Sequence, residues 1–169
     1  MTRDRLNVVW TGLGLIGFGI AFLLAQVIGW DRVWPIFPIV GGLAFFLGYA
    51  ASGFRDDGLV FVGTGAVLVG VFLFGFSLGR WEWEEMSRLW PVFPLIGGVA
   101  FFALFLAERT ARDIGVLGVS FAALIVGGVG LAYTHDMVAG DVIKLWPVLL
   151  VLVGLATLVN ALIRGVRRE

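Results

Sequence analysis

The 169-residue chain contains no cysteine and a single histidine, His135. The first absence excludes disulfides, thiolate metal ligands and thiol nucleophiles, and the second leaves no multi-histidine metal site. Charge is also sparse: 14% of residues are Asp, Glu, Lys or Arg, against about 25% in soluble domains. The 12 basic and 12 acidic residues cancel. No positive field is left to displace counterions from nucleic acid, so a nucleic-acid partner is excluded. Disorder is excluded too, because it requires low hydrophobicity and high charge.

Apolar residues are abundant, at 60% of the chain with a mean hydropathy of +1.00. Charges confined to short clusters cannot cover a water-facing surface of this size, which excludes a soluble monomer and leaves an integral membrane protein. A helix rises about 1.5 Å per residue, so crossing a hydrocarbon core of about 30 Å takes about 20 apolar residues. Six stretches meet that test: residues 8–29, 34–52, 58–79, 90–107, 114–133 and 145–163. None carries a charge in its interior, and such spans satisfy their backbone groups in lipid only as helices. The short alternating segments of a membrane β-barrel are not present. The expected fold is all-α, a single membrane domain over 1–169. The first apolar run exceeds the 7–15 residues of a signal-peptide core, so it is expected to be a retained helix.

Orientation follows from the basic residues. With the N-terminus inside, the inner segments hold Arg3, Arg5, Arg55, Arg109, Arg112, Arg164, Arg167 and Arg168, and the outer loops hold only Arg32, Arg80, Arg88 and Lys144. The rule that basic residues concentrate on the cytoplasmic side therefore places both termini in the cytoplasm. Dominance of Arg over Lys, with abundant Gly, Val and Ala, suggests GC-rich coding and hence a prokaryotic cell (cytoplasmic) membrane.

The strongest signal is an internal repeat. Arg32, Trp34, Pro35, Phe37, Pro38, Gly41, Gly42, Ala44 and Phe46 recur as Arg88, Trp90, Pro91, Phe93, Pro94, Gly97, Gly98, Ala100 and Phe102, and in reduced form as Lys144, Trp146, Pro147, Gly154 and Ala156. The spacing is 56 residues, and it divides the chain into units 1–57, 58–113 and 114–169. Each unit holds two spans, so successive units enter the membrane with the same orientation, as parallel repeats. Many secondary transporters instead carry inverted repeats.

Membrane physics alone accounts for the motif. Proline at a helix start gives up an N–H that has no intrahelical partner. Trp34, Trp90 and Trp146 suit the headgroup level, and Arg32, Arg88 and Lys144 can reach lipid phosphates. These six residues, with Pro35, Pro91 and Pro147, read as interface anchors. Pro38 and Pro94 fall near the fourth helical position, where at most a mild bend is expected. Lipid tails are as apolar as Leu, so membrane helices associate through close fit at small residues. Gly41, Gly42, Gly97, Gly98 and Gly154 read as packing positions, as do Gly75 and Gly79, which form the one strict Gly-x-x-x-Gly.

The spans contain only mild polar groups: Thr11, Gln26, Tyr49, Thr64, Ser77, Ser120, Thr157 and Asn160. Such residues commonly form hydrogen bonds between helices, and Gln26 is the candidate for a solute path. The segment from Arg80 to Arg88 carries Trp81, Trp83, Glu82, Glu84 and Glu85. It reads as an interfacial turn, with an outer-face cation or partner site as the alternative. His135, Asp136 and Asp141 read as solvated loop residues, with a divalent-ion site as the alternative. No catalytic set or cofactor motif is present, so neither enzymatic activity nor a cofactor is expected.

The Trp-Pro hairpins at Trp34-Pro35, Trp90-Pro91 and Trp146-Pro147 resemble the membrane region of LiaI/LiaF-type proteins. That resemblance implies repeated helical hairpins and, for some members, modulation of envelope-stress sensor kinases. LiaF-like proteins usually add a soluble C-terminal domain, and the resemblance here covers the membrane hairpins alone. A weaker resemblance is to HdeD-type six-span acid-resistance proteins, whose repeats usually lack the Trp-Pro start. The expected function is that of a non-enzymatic membrane protein acting through helix contacts with itself or another membrane protein. The alternative is a channel or transporter for a small uncharged solute.

Overall fold

A computed structural model describes residues 3–108 and 113–137, together with Val148, Val151, Gly154, Leu155 and Leu158; side chains are described from Val8 onward. The described residues are helical, with no strand among them. The chain forms two compact units, Met1–Glu85 and Met86–Glu169.

The first unit contains α1 (Arg3–Ile28), a one-turn α2 (Trp30–Val33), α3 (Ile36–Ala51) and α4 (Gly58–Ser77), followed by a 3-10 turn at Trp83–Glu85. The second contains a one-turn α5 (Met86–Leu89), α6 (Val92–Ala107) and α7 (Ile114–Thr134). Among the described residues three helices, Val8–Ile28 within α1, Gly58–Ser77 and Ile114–Thr134, are long and apolar enough to cross a membrane. A fourth is added if the bent pair Trp83–Leu89 plus Val92–Ala107 counts as one span. The expected span 34–52 is realised as the 16-residue α3. At 1.5 Å per residue α3 is about 24 Å long, shorter than a hydrocarbon core of about 30 Å. The sixth expected span, 145–163, lies largely outside the described residues.

In each unit two antiparallel helices approach closely where one or both lack a side chain. A Cβ placed on Gly42 would stand 2.7 Å from the Gly63 carbonyl oxygen and 2.8 Å from the Val67 nitrogen; one on Gly70 would stand 2.8 Å from the Pro35 carbonyl oxygen and 2.5 Å from Ile39 Cγ1. In the second unit a Cβ on Gly98 would meet Leu124 backbone at 2.9 Å, and one on Gly127 would meet Leu95 backbone at 2.8 Å. Real Cβ atoms do not approach backbone this closely, so the backbones are nearer than any residue but glycine permits. On α3 the facing residues are Pro35, Ile39, Gly42 and Phe46, in steps of four, three and four, the spacing of one helix face. Ring edges of Phe46 cover Gly63, whose Cβ would lie 3.2 Å from Phe46 Cε2.

The two hairpins match, with one offset. First-helix partners Ile39 and Gly42 correspond to Leu95 and Gly98 at the 56-residue spacing. Second-helix partners Val67 and Gly70 correspond to Leu124 and Gly127, one residue further on. α7 has 21 residues against 20 in α4, and its extra residue, Ile114, sits at the N-terminus. The common phase of Asp57 and Asp113 therefore marks where the second helices begin but not their packing register.

α1 packs on α3 through a face built of small residues. Gly17, Ala21 and Ala25 follow one another at four-residue steps. Ala21 and Ala25 are buried at 1% and 0% exposure, and a Cβ on Gly17 would be in ordinary contact with Val40 at 3.5 Å. The rest of α1 leaves Val8, Leu15, Ile16, Leu23 and Val27 exposed.

The glycine pairs give a direct contrast. Gly98→Ala should lower unfolding stability by about 1–3 kcal/mol, the range for overpacking a close-fitted site. Gly97→Ala, whose Cβ would meet nothing within 4 Å among the described residues, should be neutral or slightly stabilising through helix propensity. Denaturant titration of both variants in detergent, followed by circular dichroism, makes the comparison.

Candidate functional site

The most elaborated region of the described structure is the end of the first unit where α2 and the segment after α4 meet. Gly29 sets up the first half. At φ 102 it ends α1, its N–H donating to the Ala25 carbonyl at 3.1 Å, and the chain reverses into α2. That φ lies where side-chain-bearing residues are strained. The reversal lays Trp30 over Phe37, with ring centroids 5.6 Å apart and planes 7° from parallel, and edge-on to Phe22 at 4.9 Å.

The second half follows from how α4 stops. The Gly79 N–H donates to the Phe76 carbonyl and the Arg80 N–H to the Gly75 carbonyl, with Gly79 at φ 71. This is the Schellman arrangement, which satisfies the last carbonyls with a left-handed residue after the helix. It turns the chain back, and Trp81 lies flat against Gly75, with Phe72 and Phe76 each 5.6 Å from its ring. Trp83 stacks on Phe76 at 4.9 Å and runs near-parallel to Trp34 at 6.5 Å. Together these segments border an open cavity of about 490 Å³ lined by Trp30, Asp31, Trp34, Phe76, Ser77 and Trp83, with Trp30 and Trp83 about half exposed. Asp31 is exposed, and Ser77 Oγ is buried with no hydrogen-bond partner among the described residues.

The interface-anchor residues divide by role. Pro35 and Pro91 are fully buried, at the N-caps of α3 and α6 with φ of −70° and −68°. They are packing residues as well as helix starts: Gly70 lies under the Pro35 carbonyl, and Pro91 fills the space a side chain at Gly130 would need. Pro38 and Pro94 are third helical residues, where the missing N–H costs no intrahelical bond, and the helices run on through them. Trp34 is half-buried, Trp90 is 50% exposed, and Arg32 and Arg88 are exposed. Lys144, Trp146 and Pro147 lie outside the described residues.

Of the glycines, Gly42 and Gly98 sit at helix crossings, whereas Cβ atoms on Gly41, Gly97 and Gly154 would meet nothing within 4 Å among the described residues. Gly75 and Gly79 are corrected. Gly75 receives the Trp81 ring rather than a neighbouring helix, and Gly79 is already past the helix end, so the pair is not a helix-contact face. The Gly17, Ala21 and Ala25 face was missed, although small residues at four-residue steps were its signal.

Ser120 is fully buried and donates from Oγ to the Gly98 carbonyl at 2.8 Å, a hydrogen bond between α7 and α6. Gln26 is exposed on α1. Thr157 and Asn160 lie outside the described residues. His135 folds back on α7, with Nδ1 3.0 Å from the Leu131 carbonyl oxygen. A carbonyl can only accept, so Nδ1 carries the hydrogen. Asp136 takes the left-handed position, φ 56, that Gly79 holds after α4. Both are helix-ending residues, and Asp141 lies outside the described residues. No group of three or more His, Asp and Glu able to hold a metal ion occurs among the described residues. Asp113 caps α7, its Oδ1 accepting from the Gly115 N–H at 2.8 Å.

Comparison of the chain with protein-family models, with curated proteins and with solved structures gives no match.

Two outcomes follow from these contacts. Ser120→Ala should cost about 1 kcal/mol in unfolding stability through loss of the buried hydrogen bond, read by the same detergent titration. Gly75→Ala should expel Trp81 from its seat, seen as loss of near-ultraviolet dichroism with far-ultraviolet helicity unchanged.

Proposed function

We propose that the protein is a six-span protein of the cytoplasmic membrane, built as three parallel hairpin repeats with both termini in the cytoplasm. It works without catalysis, through helix contacts with a second copy or with another membrane protein, as an accessory in the envelope-stress response. The observation that carries this reading is the combination of glycine-seated hairpins with outward apolar faces. On α7 the exposed residues include Val119, Phe121, Ile125 and Val126, and on α1 they include Leu15, Ile16, Leu23 and Val27. Such faces are at rest only against lipid tails or other helices. The eight-to-four division of basic residues supports the orientation, and the matched glycine contacts of the two described hairpins support the repeat.

The absence of cysteine makes the test direct. Introduced singly, Ser87→Cys should react with a membrane-impermeant maleimide in intact cells, and Ser52→Cys only after lysis; the reverse pattern overturns the orientation. Leu23→Cys and Ile125→Cys should yield a discrete crosslinked species with a second copy or one membrane partner. Monomer at both positions, together with selective uptake of an uncharged solute by liposomes holding the protein, would replace this reading by a channel.

A further inference from the structure

We propose that the aromatic cavity of the first unit binds a small quaternary ammonium group of the choline class, held against Trp30, Trp34 and Trp83 and balanced by Asp31. This goes beyond the reading above and is independent of the number of spans.

The chemistry of the walls selects the ligand. Three indoles and the Phe76 ring line the space, and indole is the aromatic face that attracts a cation most strongly. A neutral apolar ligand would gain nothing from the carboxylate, and an anion would be repelled by it. Asp31 is exposed, and no basic residue lines the cavity. The segment carrying Trp83 adds exposed Glu82, Glu84 and Glu85. A quaternary ammonium presents methyl groups that aromatic rings contact without loss of strong hydrogen bonds to water, whereas a compact, strongly hydrated cation such as an ammonium would have to surrender them.

The walls are also set in advance. Phe37 and Phe22 fix Trp30, and Phe76 fixes Trp83, so little side-chain freedom is lost on binding. Ser77 Oγ is a buried hydroxyl without a partner at the same place. It can serve the alcohol or ester oxygen that follows the ammonium in choline compounds.

The repeat supplies an internal control. Trp34 recurs as Trp90, as an interface anchor should. Trp30 and Asp31 stand instead where the second unit has Met86 and Ser87. Helix starting and anchoring need neither an indole nor a carboxylate there, so these two residues are specific to the first unit.

Titration calorimetry of the full chain in phosphatidylglycerol nanodiscs tests the site. Probes are tetramethylammonium, choline and the neutral choline isostere 3,3-dimethylbutanol. Expected is saturable binding of both cations and none of the isostere. Trp83→Ala should weaken binding about tenfold and Asp31→Asn about threefold or more, with Trp90→Ala unchanged. Repetition in phosphatidylcholine nanodiscs distinguishes the sources: suppressed choline binding identifies a lipid headgroup as occupant, and unchanged binding a free solute. Equal binding of the isostere, absence of saturable binding of either cation, or wild-type affinity in both variants would overturn the site. Should Trp83→Ala lose helicity, Asp31→Asn, which alters an exposed side chain, decides alone.

Discussion

Close approach of backbones at glycine is the constraint on which the rest depends. In a hydrocarbon solvent no hydrophobic force drives helices together, and association rests on van der Waals fit and hydrogen bonds. Van der Waals attraction fades within an ångström of optimal contact, so the closeness allowed by Gly42 and Gly70, and by Gly98 and Gly127, is what holds each hairpin. Ser120 adds its hydroxyl bond at the same crossing, reaching the Gly98 carbonyl because the missing Cβ of Gly98 lets α7 come near. Gly63, the matching position on α4, has no side chain and accepts the Phe46 ring instead. One crossing is thus filled by a ring and the other by a polar contact, on a shared backbone plan.

The buried prolines follow from that closeness. A helix start placed at the crossing must bury its first residues, and an N–H buried without a partner is costly. Proline has none to bury. Pro35 and Pro91 can therefore lie fully inside the hairpin at the point where α3 and α6 begin, while the indole before each remains at least partly exposed. The Trp-Pro pair joins a surface residue to an interior one across a single peptide bond. The helix ends are handled in a similar way. Gly53, Gly79 and Asp136 take left-handed backbone after α3, α4 and α7, and the returning N–H groups satisfy carbonyls that lipid could not.

Helical class, the charge-free apolar stretches, and the pairing of Pro35 with Gly42 and Pro91 with Gly98 were legible because they are short-range patterns that recur along the chain. The role of Gly75 and Gly79 was not. Spacing of four reports a shared face only if the helix continues through both residues, and it stops between them. The packing register was hidden for a related reason: Asp57 and Asp113 align in sequence, but Ile114 lengthens α7 at its start and shifts every later contact by one residue. The cavity was legible only in part. In the sequence Trp81 and Trp83 are two indoles of one loop, yet one is packing and the other a wall, a distinction made by Gly75, which leaves room for only the first.

Departures from the repeat therefore carry more functional information than the repeat itself. What two hairpins share is what any such hairpin needs: a helix start without a buried donor, a glycine at the crossing, an indole at the rim. Where the chain places Trp30 and Asp31 instead of Met86 and Ser87, the common requirement gives no reason for the choice. Trp30 is stacked on Phe37, which would pack against any large apolar residue, and Asp31 is an exposed carboxylate on a rim built of aromatic rings. The pair is explained when the space beside it receives a cation that is itself half apolar, because only such a group needs both a carboxylate and flat hydrocarbon faces.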